Sequence, residues 1–335
     1  TRSDRDWSSD VCSSDLLAPY NKKIHVLNPK QVRKFKDAYP DLPKNDYVDA
    51  YIIADALRFG RINSEVYMDD YRYKALQNLT RARFFAVQNQ TREKQRFLNY
   101  LFLKYSSLAQ EKVFSNTFST TALAVYEEFD SVDELAYMDL DELTEFIKEK
   151  GKNRFPNPDK IAKSIQAAAR ASYRLPKTVN DSVNQVLSIS ISSIRALDAQ
   201  IKAFDKAIAD QLKLIPNTLT SIKGIGSVYA AGIIAEIGDI NRFPNQAALA
   251  KYAGLAWTQH QSGNFESQNT RLIKSGNRFL KYYLCEAALS LVRCDSEYKR
   301  FYNLKYKEVN KYQHKRALAL TARKFVRLVF RLLND

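Results

Sequence analysis

The chain has 335 residues, 45% of them hydrophobic, enough for roughly two or three domains with a sizeable core, and no apolar run reaches membrane-spanning length. A net charge of +15 and a pI of about 9.5 favour a polyanionic partner over an acidic or apolar one. Three cysteines (Cys12, Cys285, Cys294) and three scattered histidines (His25, His260, His314) exclude a disulfide framework and a zinc cluster; with no signal-peptide pattern, they fit a reducing cytoplasm.

Residues 1–16, TRSDRDWSSDVCSSDL, are rich in Ser and Asp, carry a net charge of −2 and lack periodicity. They read as a foreign or disordered tract. A short α/β piece follows over residues 17–62. Ile24–Leu27 predicts a strand and Pro29–Ala38 a helix, and Lys44–Gly60 predicts a second helix with Gly60 just past its end. Asp46 and Asp49 are three apart and share one face of that helix.

Residues 63–180 read as a helical extension. Tyr71–Leu108 predicts one long basic amphipathic helix with Leu76, Leu79, Phe84, Val87 and Phe97 along it. Ser131–Ala171 predicts a smaller helical unit, its acidic helix starts S-V-D-E-L and D-L-D-E-L read as solvated surface. Residues 181–215 hold another long helix, Val183–Leu214. Ile194, Leu197, Ile201, Phe204 and Ile208 alternate three and four apart on it, a short coiled-coil seam that serves either an oligomerisation arm or ordinary core packing.

Residues 216–335 form the C-terminal domain. Gly224-Ile225-Gly226 predicts a tight turn opening a small-residue helix, anchored by Ile222, Ile225, Val228 and Ile233 as in helix-hairpin-helix modules. With Lys223 beside it, the turn either holds a DNA phosphate at the helix N-terminus or merely caps the helix. Ser262-Gly263 sits in a polar loop and offers a hydroxyl. Lys274, Gly276, Asn277 and Arg278 repeat the pattern of a glycine turn opening a helix among cations, again either a phosphate site or a cap. From Arg271 onward there are 16 Lys and Arg against 5 Asp and Glu, interleaved with aromatics, which suits DNA or RNA. Cys285 and Cys294 lie on an apolar helical stretch and read as buried thiols.

Taken in order, S-I-x-G-I-G, A-E-I-G-D-I, R-F, L-A-K-Y-A-G-L, Q-S-G and K-x-G-N-R-x-L resemble the DEDD-type transposases of bacterial insertion sequences, as do L-N-P-K-Q-V and K-N-D-Y-V-D-A upstream. The likeness runs from about Leu17 to the C-terminus. It implies a remnant of an RNase H-like (RuvC-like) α/β domain, long helical arms, and a helical C-terminal transposase domain, predominantly α by residue count. Asp46 and Asp49 match the last two carboxylates of the Mg²⁺-binding DEDD set. Ser262 matches the serine that attacks DNA and forms a phosphoserine link, conserving the phosphodiester energy for strand exchange. His260, two residues away, has no required role. The resemblance also implies a structured guide RNA and a homo-oligomer, dimer or tetramer, acting on DNA.

The first Asp and the Glu of the set have no counterpart from Leu17 onward. The chain as written is therefore expected to be a truncated copy unable to complete DNA cleavage. A DNA- or RNA-binding remnant without catalysis is the alternative. A junction-resolving nuclease is the third, disfavoured because metal-dependent hydrolysis needs no nucleophilic serine.

Overall fold

The computed structural model describes residues 27, 29–39, 41–60, 71–111, 113–258, 261–262, 265–266 and 271–334; of Lys30, residues 261–262 and residues 265–266 it describes the backbone alone. The tract 1–16, Cys12, His25, His260 and Gly263 lie outside the described residues, as does the expected strand apart from Leu27, which is in no strand. The chain divides into two units, residues 1–70 and 71–335.

In the first unit two helices are described, α1 (Pro29–Lys36) and α2 (Asp46–Arg58). Asn45 begins α2: its side-chain oxygen accepts the Val48 N–H at 2.8 Å, satisfying a donor that the helix itself leaves unpaired. The end is as expected, with Phe59 closing the helix and Gly60 following at φ 63°. Val48, Ile52 and Ala56 form its buried stripe. No strand occurs among the described residues of this unit, so the expected α/β remnant is represented by its two helices only.

The second unit is built on a pair of long helices. Helix α3 (Tyr71–Lys104) was expected to run to Leu108, but Tyr105 breaks it with φ −129° and ψ 68°, and a separate turn, α4 (Ser106–Gln110), follows. Four helices come next: α5 (Thr120–Glu128), α6 (Val132–Tyr137), α7 (Leu140–Lys150) and α8 (Pro158–Ala171). The acidic starts of α6 and α7 are caps as well as surface. Ser131 accepts the Glu134 N–H while Glu134 accepts the Asp130 N–H, and Asp139 accepts from Asp141 and Glu142. Then α9 (Lys177–Leu212) runs back along α3, antiparallel to it. Arg83 pairs with Asp205, Gln90 with Asp198, and Ser190 donates to Glu93 at 2.7 Å.

Two cores cover the two ends of this helix pair. One joins Phe97 and Leu101 of α3 and Val183 to Ile194 of α9 to helices α4–α8. The other joins Leu76, Ile208 and Leu212 to the C-terminal helices. The apolar seam of α9 thus serves the chain's own packing: Ile194 and Ile208 are fully buried in the two cores, while Leu197, Ile201 and Phe204 between them are half-buried.

The C-terminal part contains α10 (Ser227–Ile237), α11 (Gln246–Tyr252), a two-stranded antiparallel sheet β1 (Gln261–Ser262) and β2 (Phe265–Glu266), then α12 (Arg278–Cys294), α13 (Ser296–Lys307) and α14 (Gln313–Asn334). Helix α10 is buried along almost its whole length, which its apolar sequence AAGIIAEI requires. No helix is long and apolar enough to cross a membrane among the described residues.

Candidate functional site

At the glycine turn Gly224 adopts φ 96°, a conformation that side-chain-bearing residues rarely take. Its carbonyl accepts the Ser290 hydroxyl of α12 at 2.6 Å, and a Cβ added to it would meet the Cys294 Cβ at 3.0 Å. Ile225 is buried, whereas Lys223 and Gly226 are exposed. Gly226 is the N-cap of α10: it makes no side-chain capping bond, and its carbonyl accepts the Ala230 N–H at 3.0 Å. The turn is anchored on α12 through Gly224, while nothing lies within 4 Å of where a Gly226 side chain would begin. Cys294 was expected to be buried and is exposed; Cys285 is largely buried, and burial raises its thiol to about 11.

Ser262 ends β1 and is paired with Phe265 of β2, two residues separating the strands. Nearer the helices a second antiparallel stretch is described. Trp257 bridges Leu272, Thr258 N–H donates to Arg271 at 2.8 Å and Ile273 N–H to Ala256 at 2.9 Å. The described limbs 255–258 and 271–275 therefore run antiparallel to each other, one following α11 and the other leading into α12. Gly276, at φ 129°, lies so close to Gly254 that an added Cβ would stand 2.5 Å from the Gly254 nitrogen. Arg323 of α14 holds the outgoing limb, donating to Leu255 O at 2.7 Å with its guanidinium 5.9 Å from the Trp257 ring centre.

Asn277 ties this root to the body. Its side-chain oxygen accepts the N–H groups of Phe279 and Leu280 at 2.9 and 3.0 Å, capping α12, and its own N–H donates to Tyr252 O at 2.7 Å. Its amide donates to Glu236 at 2.7 Å and to the Tyr252 hydroxyl at 3.2 Å. Glu236, whose side chain is fully buried, also receives both arms of Arg81 at 2.8 and 2.9 Å. Asn277 is thus committed to protein partners. Lys274 and Arg278 are exposed cations beside it, the Arg278 guanidinium stacked 4.7 Å from the Phe279 ring centre and 5.5 Å from that of Phe85.

The carboxylates of the first unit are disposed differently. Asp46 is exposed in the first turn of α2, and Asp49 is half-exposed and paired with Lys36 at 2.6 Å. Two carboxylates one turn apart fit part of a Mg²⁺ shell, which takes six oxygens including water. No group of three or more metal-capable side chains occurs among the described residues. Asp55, not singled out from sequence, is buried instead: it accepts the Tyr39 hydroxyl and the Arg58 Nε at 3.0 Å, a structural role.

Sequence reasoning assigned no role to Glu236, Arg81, Tyr252 or Arg323. A signal existed for the first: Glu236 is the sole charge in an apolar helix, and a buried charge demands a partner. Nothing local pointed to that partner, which lies 155 residues away.

Residues 217–303 match a family model described as Transposase IS116/IS110/IS902 family, and residues 12–105 match one of DEDD-type IS110 proteins described as a transposase. The chain is 28% identical over 325 residues to the 43.6 kDa protein of insertion element IS110 from Streptomyces coelicolor, an alignment covering 93% of this chain and 76% of that protein. It is 25% identical to the 44.8 kDa protein of insertion element IS116 from Streptomyces clavuligerus, over 96% and 78% of the two chains. Over a shorter span, 36% of this chain and 31% of the relative, it is 30% identical to the transposase for insertion sequence element IS1111A of Coxiella burnetii.

Proposed function

The chain belongs to the IS116/IS110/IS902 family of insertion-sequence transposases, and we propose that it grips DNA with its C-terminal domain and exchanges strands through the Ser262 hydroxyl. The single observation carrying this reading is the position of Ser262 at the end of β1, on a segment whose two limbs meet at Gly254 and Gly276 beside exposed Lys274 and Arg278. In the first step the Ser262 oxygen bonds to phosphorus, the bond from phosphorus to a deoxyribose oxygen breaks, and that oxygen leaves with a proton. In the second, a hydroxyl of the receiving strand attacks the phosphoserine, and the serine oxygen regains its proton. No high-energy cofactor is consumed, because each ester replaces another.

Lys223, Gly224, Gly226 and Gly263 contribute to the DNA surface, Lys274 and Arg278 neutralise phosphate charge, and Asn277, with Gly276, shapes their turn. Asp46 and Asp49 would hold Mg²⁺, which would supply charge neutralisation at a phosphodiester. A structured guide RNA and further copies of the chain are the proposed partners, the net charge of +15 supporting the former. The RNase H-like character of the first unit and the helix-hairpin-helix character of the glycine turn belong to this same proposal.

The test incubates the chain with DNA carrying its own element and flanks, with the element's transcript and Mg²⁺, and looks for protein-linked DNA on a denaturing gel. Where the wild type forms adduct, Ser262→Ala is expected to form none, and adduct from Ser262→Ala would overturn the serine assignment; a wild type that forms none agrees with the expectation that Asp46 and Asp49 alone do not complete the metal site. For the metal, Mn²⁺ binding followed by its spin-resonance signal is expected to weaken at least tenfold in Asp46→Asn/Asp49→Asn. A second reading, a binding module without catalysis, is favoured by the Lys36–Asp49 pair, which occupies a proposed ligand. DNA binding without any adduct from the wild type would select it.

A further inference from the structure

Helix α10 carries one charged residue, and it is buried. Replacing a buried ion pair with apolar side chains of similar volume often leaves a protein equally or more stable, so stability alone does not account for Glu236 and Arg81. What the pair does locally is orient one amide. The Glu236 carboxylate, clamped by Arg81 of α3, takes the Asn277 NH₂ group and so turns the Asn277 oxygen toward the first N–H groups of α12. The Asn277 backbone is fixed in the same act to Tyr252 at the end of α11. Both limbs of the segment bearing Ser262 start from these two residues, and Gly254 and Gly276 let them touch.

We propose, building on the reading of Ser262 as nucleophile, that Glu236 is a positioning residue: through Asn277 it sets the angle at which the Ser262 segment leaves the helical body. Glu236→Gln keeps the shape but turns amide protons toward Arg81 and Asn277, both donors. Asn277→Ser keeps the helix cap, serine being a good capping residue, and loses only the amide that reaches Glu236. Leu143→Ala, on α7 in the other core, serves as a destabilised control remote from the segment.

The readout is amide hydrogen exchange at Ala256–Thr258 and Arg271–Ser275 in the full chain without DNA. Glu236→Gln and Asn277→Ser are expected to speed exchange there about tenfold or more over Leu143→Ala at matched thermal stability. Exchange in the middle of α12 should stay unchanged. Equal exchange in all three variants, or acceleration spread evenly through α12, would reduce Glu236 to a structural residue and overturn the proposal. This outcome is independent of the Ser262→Ala adduct assay, so failure of the nucleophile assignment and failure of the positioning role are told apart. Where the wild type forms adduct, both variants are also expected to form it at least tenfold more slowly, with Glu236→Gln binding the same DNA within about twofold.

Discussion

Lys104 is 2% exposed, and its ammonium donates to the Phe129 carbonyl at 2.5 Å and the Tyr126 carbonyl at 3.4 Å, closing the end of α5. Burial lowers its pKa to about 8, against a partial pull upward from Asp130 and Glu134. Between that value and the unfolded one the unfolded chain binds more protons, so this lysine's penalty is full below pH 8 and is relieved as pH rises. Stability from this group is therefore expected to increase from pH 7.5 to 9.5, by up to about 2 kcal/mol, and Lys104→Met should flatten the rise in urea denaturation. Buried Tyr105 and Tyr126, pushed upward, oppose it only above about pH 10, where unfolded tyrosines ionise. Gly232 offers a second residue-scale check. An added Cβ would lie 2.4 Å from the ring of Tyr283, which is fully buried and anchored by its hydroxyl to Thr80 O at 2.7 Å. The ring has nowhere to move, so Gly232→Ala should cost about 2 kcal/mol, read as a lower urea midpoint.

Among elements, the pair α3 and α9 decides how the second unit is laid out. The spacing of Ile194 to Ile208 was readable as a seam, but two partners were open, another copy or the chain itself. Ile208 lies fully buried in a core with Leu76, Leu212 and the C-terminal helices. Ile208→Ala is expected to cost about 3 kcal/mol, and by the same amount at low and high protein concentration, because its packing is intramolecular. A cost that grows on dilution would indicate that a second copy shares it. Caps were the most legible local feature: Asn45, Ser131, Asp139 and Asn277 all precede helices in sequence and all bond to the first-turn N–H groups. The break at Tyr105 was not legible, since the apolar pattern continues through Leu108; it is the burial of Lys104 and Tyr105 against Phe129 that stops α3.

For the molecule as a whole the charge is the property with the widest consequence. A chain at +15 that binds DNA should lose affinity steeply with salt, each neutralised phosphate contributing about 0.9 to the logarithmic slope. Lys274→Gln with Arg278→Gln is expected to reduce that slope by about 2, while Lys148→Gln, on a helix of the other core and paired with Glu145, should leave it unchanged. Filter binding between 50 and 300 mM salt, roughly, covers the range in which such slopes are read.

Sequence by itself determined the helical character, some of the helix starts, the glycine turns and the basic C-terminal region, because periodicity, capping and φ preference act within a few residues of each other; α9, expected from Val183, begins six residues earlier at Lys177 behind Pro176. Its ordered motifs also sufficed for the family. Tertiary structure alone decided that Asn277 faces Glu236 rather than open solvent, that Glu236 is answered by Arg81, and that the α9 seam is spent on α3 and the two cores. Those outcomes depend on burial, which makes an unpaired charge intolerable wherever along the chain its partner lies. Such partners stand 41 and 155 residues from Glu236, beyond the reach of any local pattern.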